Sequence, residues 1–210
     1  MTAPAGWAVV IPVKPAAVGK SRLALPSVDR VTLARAIALD TIAAAAACPA
    51  VAQVYVVSDD GALVALAFDV PGLRFVAEGD ARGIDAAVAV GADAAGERMP
   101  RAALLGDLPA LRPDDLAAAL GAAAAVERAA VADAEGTGTT LVTARAGIPL
   151  QTSFGDGSFA RHVDLGCVPL DIEAASSLRR DVDTPDQLEA AAALGVGPRT
   201  AAVLAAQISR

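Results

Sequence analysis

The sequence is poor in the residues that usually announce a site. It has one histidine and two cysteines among 210 residues, and aromatics make up 3%. Cys48 and Cys167 show neither metal-ligand spacing nor a disulfide framework, so each reads as a small core residue. The lone histidine, His162, reads as structural or solvated, because one histidine is more often that than catalytic. Positive charge is also short. A net charge of −7 argues against a nucleic-acid surface, which needs a basic face. No apolar run is long enough for a bilayer: the longest, near Ile42 to Ala47 and Ala122 to Val126, stop well short. The start, MTAPAGWAVV, lacks the basic n-region of a secretion signal. These absences lead us to expect a cytoplasmic protein with no membrane or nucleic-acid partner.

What is present is alanine, which supplies most of the 55% hydrophobic content. The length suits one domain with a sizeable core, and no linker, repeat or low-complexity spacer divides residues 1–210. Strands are expected at Trp7 to Val13, Val51 to Val57, Leu73 to Val76, Ala102 to Gly106 and Thr139 to Thr143, with another at Leu170 to Ile172. Helices are expected at Leu33 to Ala47, Gly83 to Gly96 and Pro113 to Arg128, and after Ser158, Thr184 and Pro198. Thr184 and Gln187 form a capping box around Pro185 at the first helical position. Strands alternating with helices imply a three-layer α/β/α fold around a mostly parallel central sheet.

The segment LLGDLPAL, Leu104 to Leu111, is the most informative. An apolar run drives toward one carboxylate, Asp107, with Pro109 behind it and a helix start at Pro113. It reads as a central strand that delivers an acid at its carboxyl end, where open α/β sheets bind ligands. Asp183 lies in a second acidic segment, Arg179 to Pro185, and could be a plain turn residue; its pairing with Asp107 raises it. Two carboxylates suit Mg²⁺, which fills its other positions with phosphate oxygens and water.

Lys14, Lys20 and Arg22 cluster after the first strand. They suit a triphosphate, with a solvated loop as the equal alternative. Gly19-Lys20-Ser21 invites a P-loop reading, but Lys14 stands where that motif needs glycine. Ser58-Asp59-Asp60 ends the second strand, as a contact to base or ribose or as a helix cap. Gln151 to His162 is a glycine-rich loop entering a helix at Ser158, suited to a small phosphorylated acid. Thr139 and Thr140 could face the same space.

Taken together, IPVKPAAVGKSRL at 11–23, VVSDD at 56–60, LLGDLPAL at 104–111, SFGDGSFARH at 153–162 and LRRDVDTPDQL at 178–188 resemble the guanylyltransferases of coenzyme F420 biosynthesis. The resemblance spans almost the whole chain, in order. It implies a Rossmann-like nucleotidyltransferase fold related to the molybdenum-cofactor (MobA-like) guanylyltransferases. It implies GMP transfer from GTP to phosphoenolpyruvate or 2-phospho-L-lactate, with release of pyrophosphate. Asp107 and Asp183 would hold Mg²⁺, and Thr140, Gly155 and Ser158 would bind the acceptor. Pro12, Val13, Lys14, Lys20, Arg22, Asp59 and Gly83 would lie on the nucleotide side, with Lys20 and Arg22 also acting in catalysis. One departure is Asp85, where the family often carries asparagine. A related nucleotidyltransferase with another acceptor such as 3-phosphoglycerate, a kinase, and a non-catalytic GTP-binding protein remain the alternatives. The assembly is expected to be a monomer or a homodimer.

Overall fold

The computed structural model describes residues 6–15, 23, 28–68 and 70–208. In chain order the elements are β1 (Trp7–Pro12), α1 (Arg30–Ala47), β2 (Val51–Val57), α2 (Gly61–Leu66), β3 (Leu73–Val76), α3 (Ile84–Ala95), β4 (Arg101–Leu104), α4 (Pro113–Ala123), β5 (Arg128–Ala132), β6 (Thr139–Ala144), α5 (Ser158–Asp164), β7 (Val168–Pro169), a 3-10 turn (Ser177–Arg179), α6 (Pro185–Leu194) and α7 (Pro198–Ile208). The strands form one sheet in the order β3-β2-β1-β4-β6-β5-β7. All neighbours pair in parallel except β6, which runs antiparallel to both β4 and β5.

β1 is buried along its whole length, and its continuous apolar run is what a strand covered on both faces requires. On one face α1 and α4 pack Ile42, Leu116 and Leu120 against Val9, Ile11, Leu104 and Leu141. Burying each such side chain contributes roughly 1.5–3 kcal/mol. On the other face α3 lies close to the sheet. A Cβ at Gly91 would run into Val10 and Val57, so this position must stay bare. α1 is buried almost all round because α7 covers its far side. The buried Asp40 carboxylate accepts the amides of Arg199 at 3.2 Å and Thr200 at 2.7 Å, which fixes the start of α7 on α1.

The expected architecture is present, with several boundaries moved. α4 ends at Ala123 and not at Arg128, because Arg128 opens β5, a strand absent from the sequence-based reading. Residues 122–132 are mostly alanine, with a strong helix propensity and no apolar periodicity. Pairing between β6 and β7 overrides that preference. The strand expected at Leu170 to Ile172 forms two residues earlier, at Val168–Pro169. No described helix is long and apolar enough to cross a membrane.

Candidate functional site

The sheet's order reverses between β1 and β4. Its parallel strands end there with their connections leaving in opposite directions, and an open α/β sheet forms its ligand crevice at that point. A cleft of about 550 Å³ opens at this edge. Its floor includes Pro12, Val13 and Lys14 beyond β1, and Leu105, Gly106 and Asp107 beyond β4. Gly106 allows the two strand ends to close on each other. A Cβ there would lie 3.0 Å from the Val13 side chain and 3.2 Å from the Pro12 carbonyl.

Asp107 is held by its neighbours' main chain. The Leu108 amide donates to Thr41 Oγ1 at 3.0 Å, and the Pro109 carbonyl accepts from the Gly197 amide at 2.8 Å. The Asp107 carbonyl itself accepts from the Val182 amide at 3.0 Å. This bond joins the two acid-bearing segments directly. Val182 is fully buried with Leu23, Leu33, Ile37 and Leu188, and Asp181 and Asp183 on either side of it both line the cleft.

The approach to that segment is fixed from both sides. Asp115 accepts the Ser177 amide at 2.8 Å and its hydroxyl at 2.6 Å, and Ser177 Oγ accepts the Arg112 amide at 2.9 Å. Burial pushes the Asp115 carboxyl up, but the bonds from Ser177 outweigh it and hold this group below its ordinary range. Arg179 reaches back to the Asp133 carbonyl at 2.7 Å. After the segment, Gln187 Oε1 accepts the Asp183 amide at 2.8 Å, and the expected capping box with Thr184 is formed. Asp133 closes a tight turn by accepting the amides of Thr137 and Gly138, and it too lines the cleft. Ligand oxygens of Asp133, Glu135 and Asp181 lie within 4.8 Å of one another, close enough to hold a metal ion. The donor set here is carboxylate throughout, which suits a hard divalent cation.

The opposite wall is the loop Phe154, Gly155, Asp156, Gly157 and the buried Ser158 at the start of α5. Gly155 and Gly157 have φ of 111° and 69°, values that L side chains rarely adopt. Ser158 Oγ donates to Thr139 Oγ1 at 3.1 Å, and Thr139 Oγ1 meets His162 Nδ1 at 2.9 Å. The Ser153 amide donates to His162 Nε2 at 2.9 Å. Nε2 must therefore be an acceptor, which assigns the ring proton to Nδ1. Burial pushes His162 below its ordinary value of 6.5, which favours that neutral ring. Arg161 donates to the carbonyls of Ser153 at 3.0 Å and Phe154 at 3.1 Å.

The remaining wall comes from α1 and α2, with Ala34, Arg35, Ile37, Ala38, Asp60 and Leu63. Asp60 caps α2 through the amides of Ala62 and Leu63 and pairs with Arg35 at 2.9 Å.

The structure brings Asp107, Asp183, Pro12, Val13, Lys14, Gly155 and Ser158 to this one cleft. It does not bring Asp59, Gly83 or Thr140 to the wall. Asp59 is exposed and accepts the Glu78 amide at 2.9 Å, while its neighbour Asp60 faces the cleft. Gly83 caps α3, and Ile84 lines the cleft in its place. Thr140 is fully buried and its hydroxyl meets no hydrogen-bond partner among the described residues, while Thr139 reaches the wall. Lys20 and Arg22, together with the P-loop candidate at 19–21, lie outside the described residues. Asp181, Asp133 and Arg35 escaped the sequence reading, while Asp60, read with Asp59 as a base contact or a helix cap, caps α2 and lines the cleft. Asp181 had a signal: it stands two residues before Asp183 around an apolar Val182, the spacing that puts two side chains on one face of an extended chain. Arg35 had none.

A family model described as "Guanylyl transferase CofC like" matches residues 7–190. A protein of Thermomonospora curvata named phosphoenolpyruvate guanylyltransferase is 50% identical over 203 residues, covering 95% of this chain and 89% of its own. One of the same name from Streptomyces scabiei is 50% identical over 208 residues, covering 95% and 96%. Among solved structures, a nucleotidyl transferase from Methanothermobacter thermautotrophicus aligns with a TM-score of 0.60 at 17% identity, covering 90% of this chain and 97% of its own. That likeness is one of fold.

Proposed function

The chain belongs to the CofC-like guanylyl transferases, and on that premise we propose that it transfers GMP from GTP to the phosphate of phosphoenolpyruvate, in coenzyme F420 biosynthesis. A phosphate oxygen of the acceptor attacks the α-phosphorus, the bond from that phosphorus to the bridging oxygen breaks, and pyrophosphate leaves. The acceptor phosphate is already ionised at neutral pH, so the reaction needs no general base. Catalysis is then alignment and charge stabilisation.

The observation that carries this reading is the Val182 amide bond to the Asp107 carbonyl. It joins the segment that carries Asp107 to the one that carries Asp181 and Asp183, and all three line the same cleft as the glycine loop. Asp107 and Asp183 are assigned to Mg²⁺ as carboxylates lining the cleft, a ligand type that suits a hard cation; the acids whose ligand oxygens gather within 4.8 Å of one another are Asp133, Glu135 and Asp181. An ion held by these carboxylates would supply positive charge that stabilises the phosphates in the transition state. The chain's own residues do the rest. Gly155 and Ser158 line the cleft and are assigned to the acceptor, as is the buried Thr140. Pro12, Val13 and Lys14 line the cleft and are assigned to the nucleotide, as are Asp59 and Gly83 off its wall. Lys20 and Arg22 are assigned to the leaving pyrophosphate.

The test is an assay with GTP and, separately, phosphoenolpyruvate, 2-phospho-L-lactate and 3-phosphoglycerate, with mass detection of the product. The expected result is a guanylylated phosphoenolpyruvate and one pyrophosphate per turnover. Release of GDP, or no product from any of the three acids, would overturn the reading.

A further inference from the structure

Asp85 stands in the first turn of α3, on the sheet face opposite α1. Its Oδ1 accepts the amide of Phe154 at 2.9 Å, across 69 positions of sequence. Phe154 opens the glycine loop that lines the cleft, and the preceding amide, Ser153, is taken by His162 Nε2. Two consecutive amides are thus held by side chains from two different helices. Between them they fix the peptides on either side of Ser153, and Arg161 holds the Phe154 carbonyl of the next peptide, the one leading into Gly155. The Phe154 ring also meets the His162 ring edge-on at 5.0 Å, so the two attachments share one packing unit. Next along α3, Ile84 lines the cleft, which puts Asp85 at the junction of the nucleotide half and the acceptor half.

We propose that Asp85 is a positioning residue for the acceptor acid: its carboxylate holds the Phe154 amide, and so fixes the glycine loop against the acid wall across the cleft. This rests on the guanylyl-transfer reading for what the loop binds, not for the tether. The bond needs an acceptor oxygen at the end of a short side chain and no negative charge, so asparagine can supply it and alanine cannot.

Three variants of the full chain test this: Asp85→Asn, Asp85→Ala and Asp85→Leu. In Asp85→Ala the KM for phosphoenolpyruvate is expected to rise roughly tenfold, the size of effect a lost positioning hydrogen bond gives. The KM for GTP and kcat are expected to stay within about threefold of the parent. Asp85→Leu is expected to follow Asp85→Ala, and Asp85→Asn to restore the parent value. Hydrogen exchange by mass spectrometry on peptides spanning 150–158 is a second readout. Exchange should quicken in the alanine and leucine variants and stay slow in the asparagine variant. An unchanged acceptor KM in Asp85→Ala, or an equal rise in the KM of both substrates, would overturn the proposal. So would an asparagine variant that behaves like alanine, or exchange that does not respond. If the parent guanylylates none of the acids, the proposed function falls, and the exchange measurement still decides the tether.

Discussion

The two walls of the cleft are built in different ways. On the acid wall the backbone that carries Asp107 is placed mostly by main-chain bonds, to Val182 and through Pro109 to Gly197, with one side-chain tie from Leu108 to Thr41. None of those bonds passes through the Asp107 carboxylate. On the glycine-loop wall the backbone itself hangs on side chains, from Asp85, His162 and Arg161. Altering those side chains moves the loop. Substitutions on the first wall should therefore change chemistry and spare stability, and substitutions on the second should change the loop and stability together.

The largest effect belongs to the acid wall. Asp107→Asn should lower kcat on the order of a hundred- to a thousandfold, the usual loss when one electrostatic contact to a transition state is removed. Its urea midpoint should match the parent, and a shifted midpoint would break the contrast. His162→Leu comes next. It leaves the Ser153 amide without its acceptor, removes one of the two bonds at Thr139 Oγ1, and should destabilise by about 1–3 kcal/mol in urea unfolding, with a raised acceptor KM. An equally stable variant would show that the loop does not depend on that side chain. Thr184→Ala removes the cap beside Asp183 and should lose about 1 kcal/mol, because the Gln187 amide loses its acceptor. A drop in kcat larger than that loss explains would sharpen the comparison, tying α6 to the placement of Asp183.

The smallest effect is in pH. Burial holds His162 neutral below its ordinary 6.5, against the nearby Asp85 carboxylate and together with the Arg161 cation. The unfolded chain then binds more protons than the folded one below pH 6.5, so stability is complete above that value and declines as pH falls toward the folded pKa. Unfolding free energies taken between pH 7.5 and 5.5 should show this slope in the parent and a weaker one in His162→Leu. Equal slopes would remove His162 as its source.

The same contrast explains what could be read from the sequence. LLGDLPAL and the Thr184 capping box are local patterns, and both stand where their residues place them. The parallel strands β1, β2 and β3 likewise follow from apolar runs and breakers. β5 did not, because alanine favours a helix until neighbouring strands claim the segment. The reversal of β6 is a matter of pairing and not of local sequence. It brings the start of that strand, and with it Thr139, to the ligand edge. The partners of the glycine loop are remote in the chain: Asp85 and Phe154 carry no mutual spacing that a motif could encode. In the sequence Asp85 stood out only as a departure from the asparagine that the family often carries.

The central claim is that acids from the β4 end and from the 181–183 segment act as one unit. A double-mutant cycle on kcat with Asp107→Asn, Asp183→Asn and the pair tests it most directly. Residues that serve as a unit lose together, so the double variant should fall no further than about threefold below the weaker single variant. Losses that multiply, as for independent sites, would contradict it.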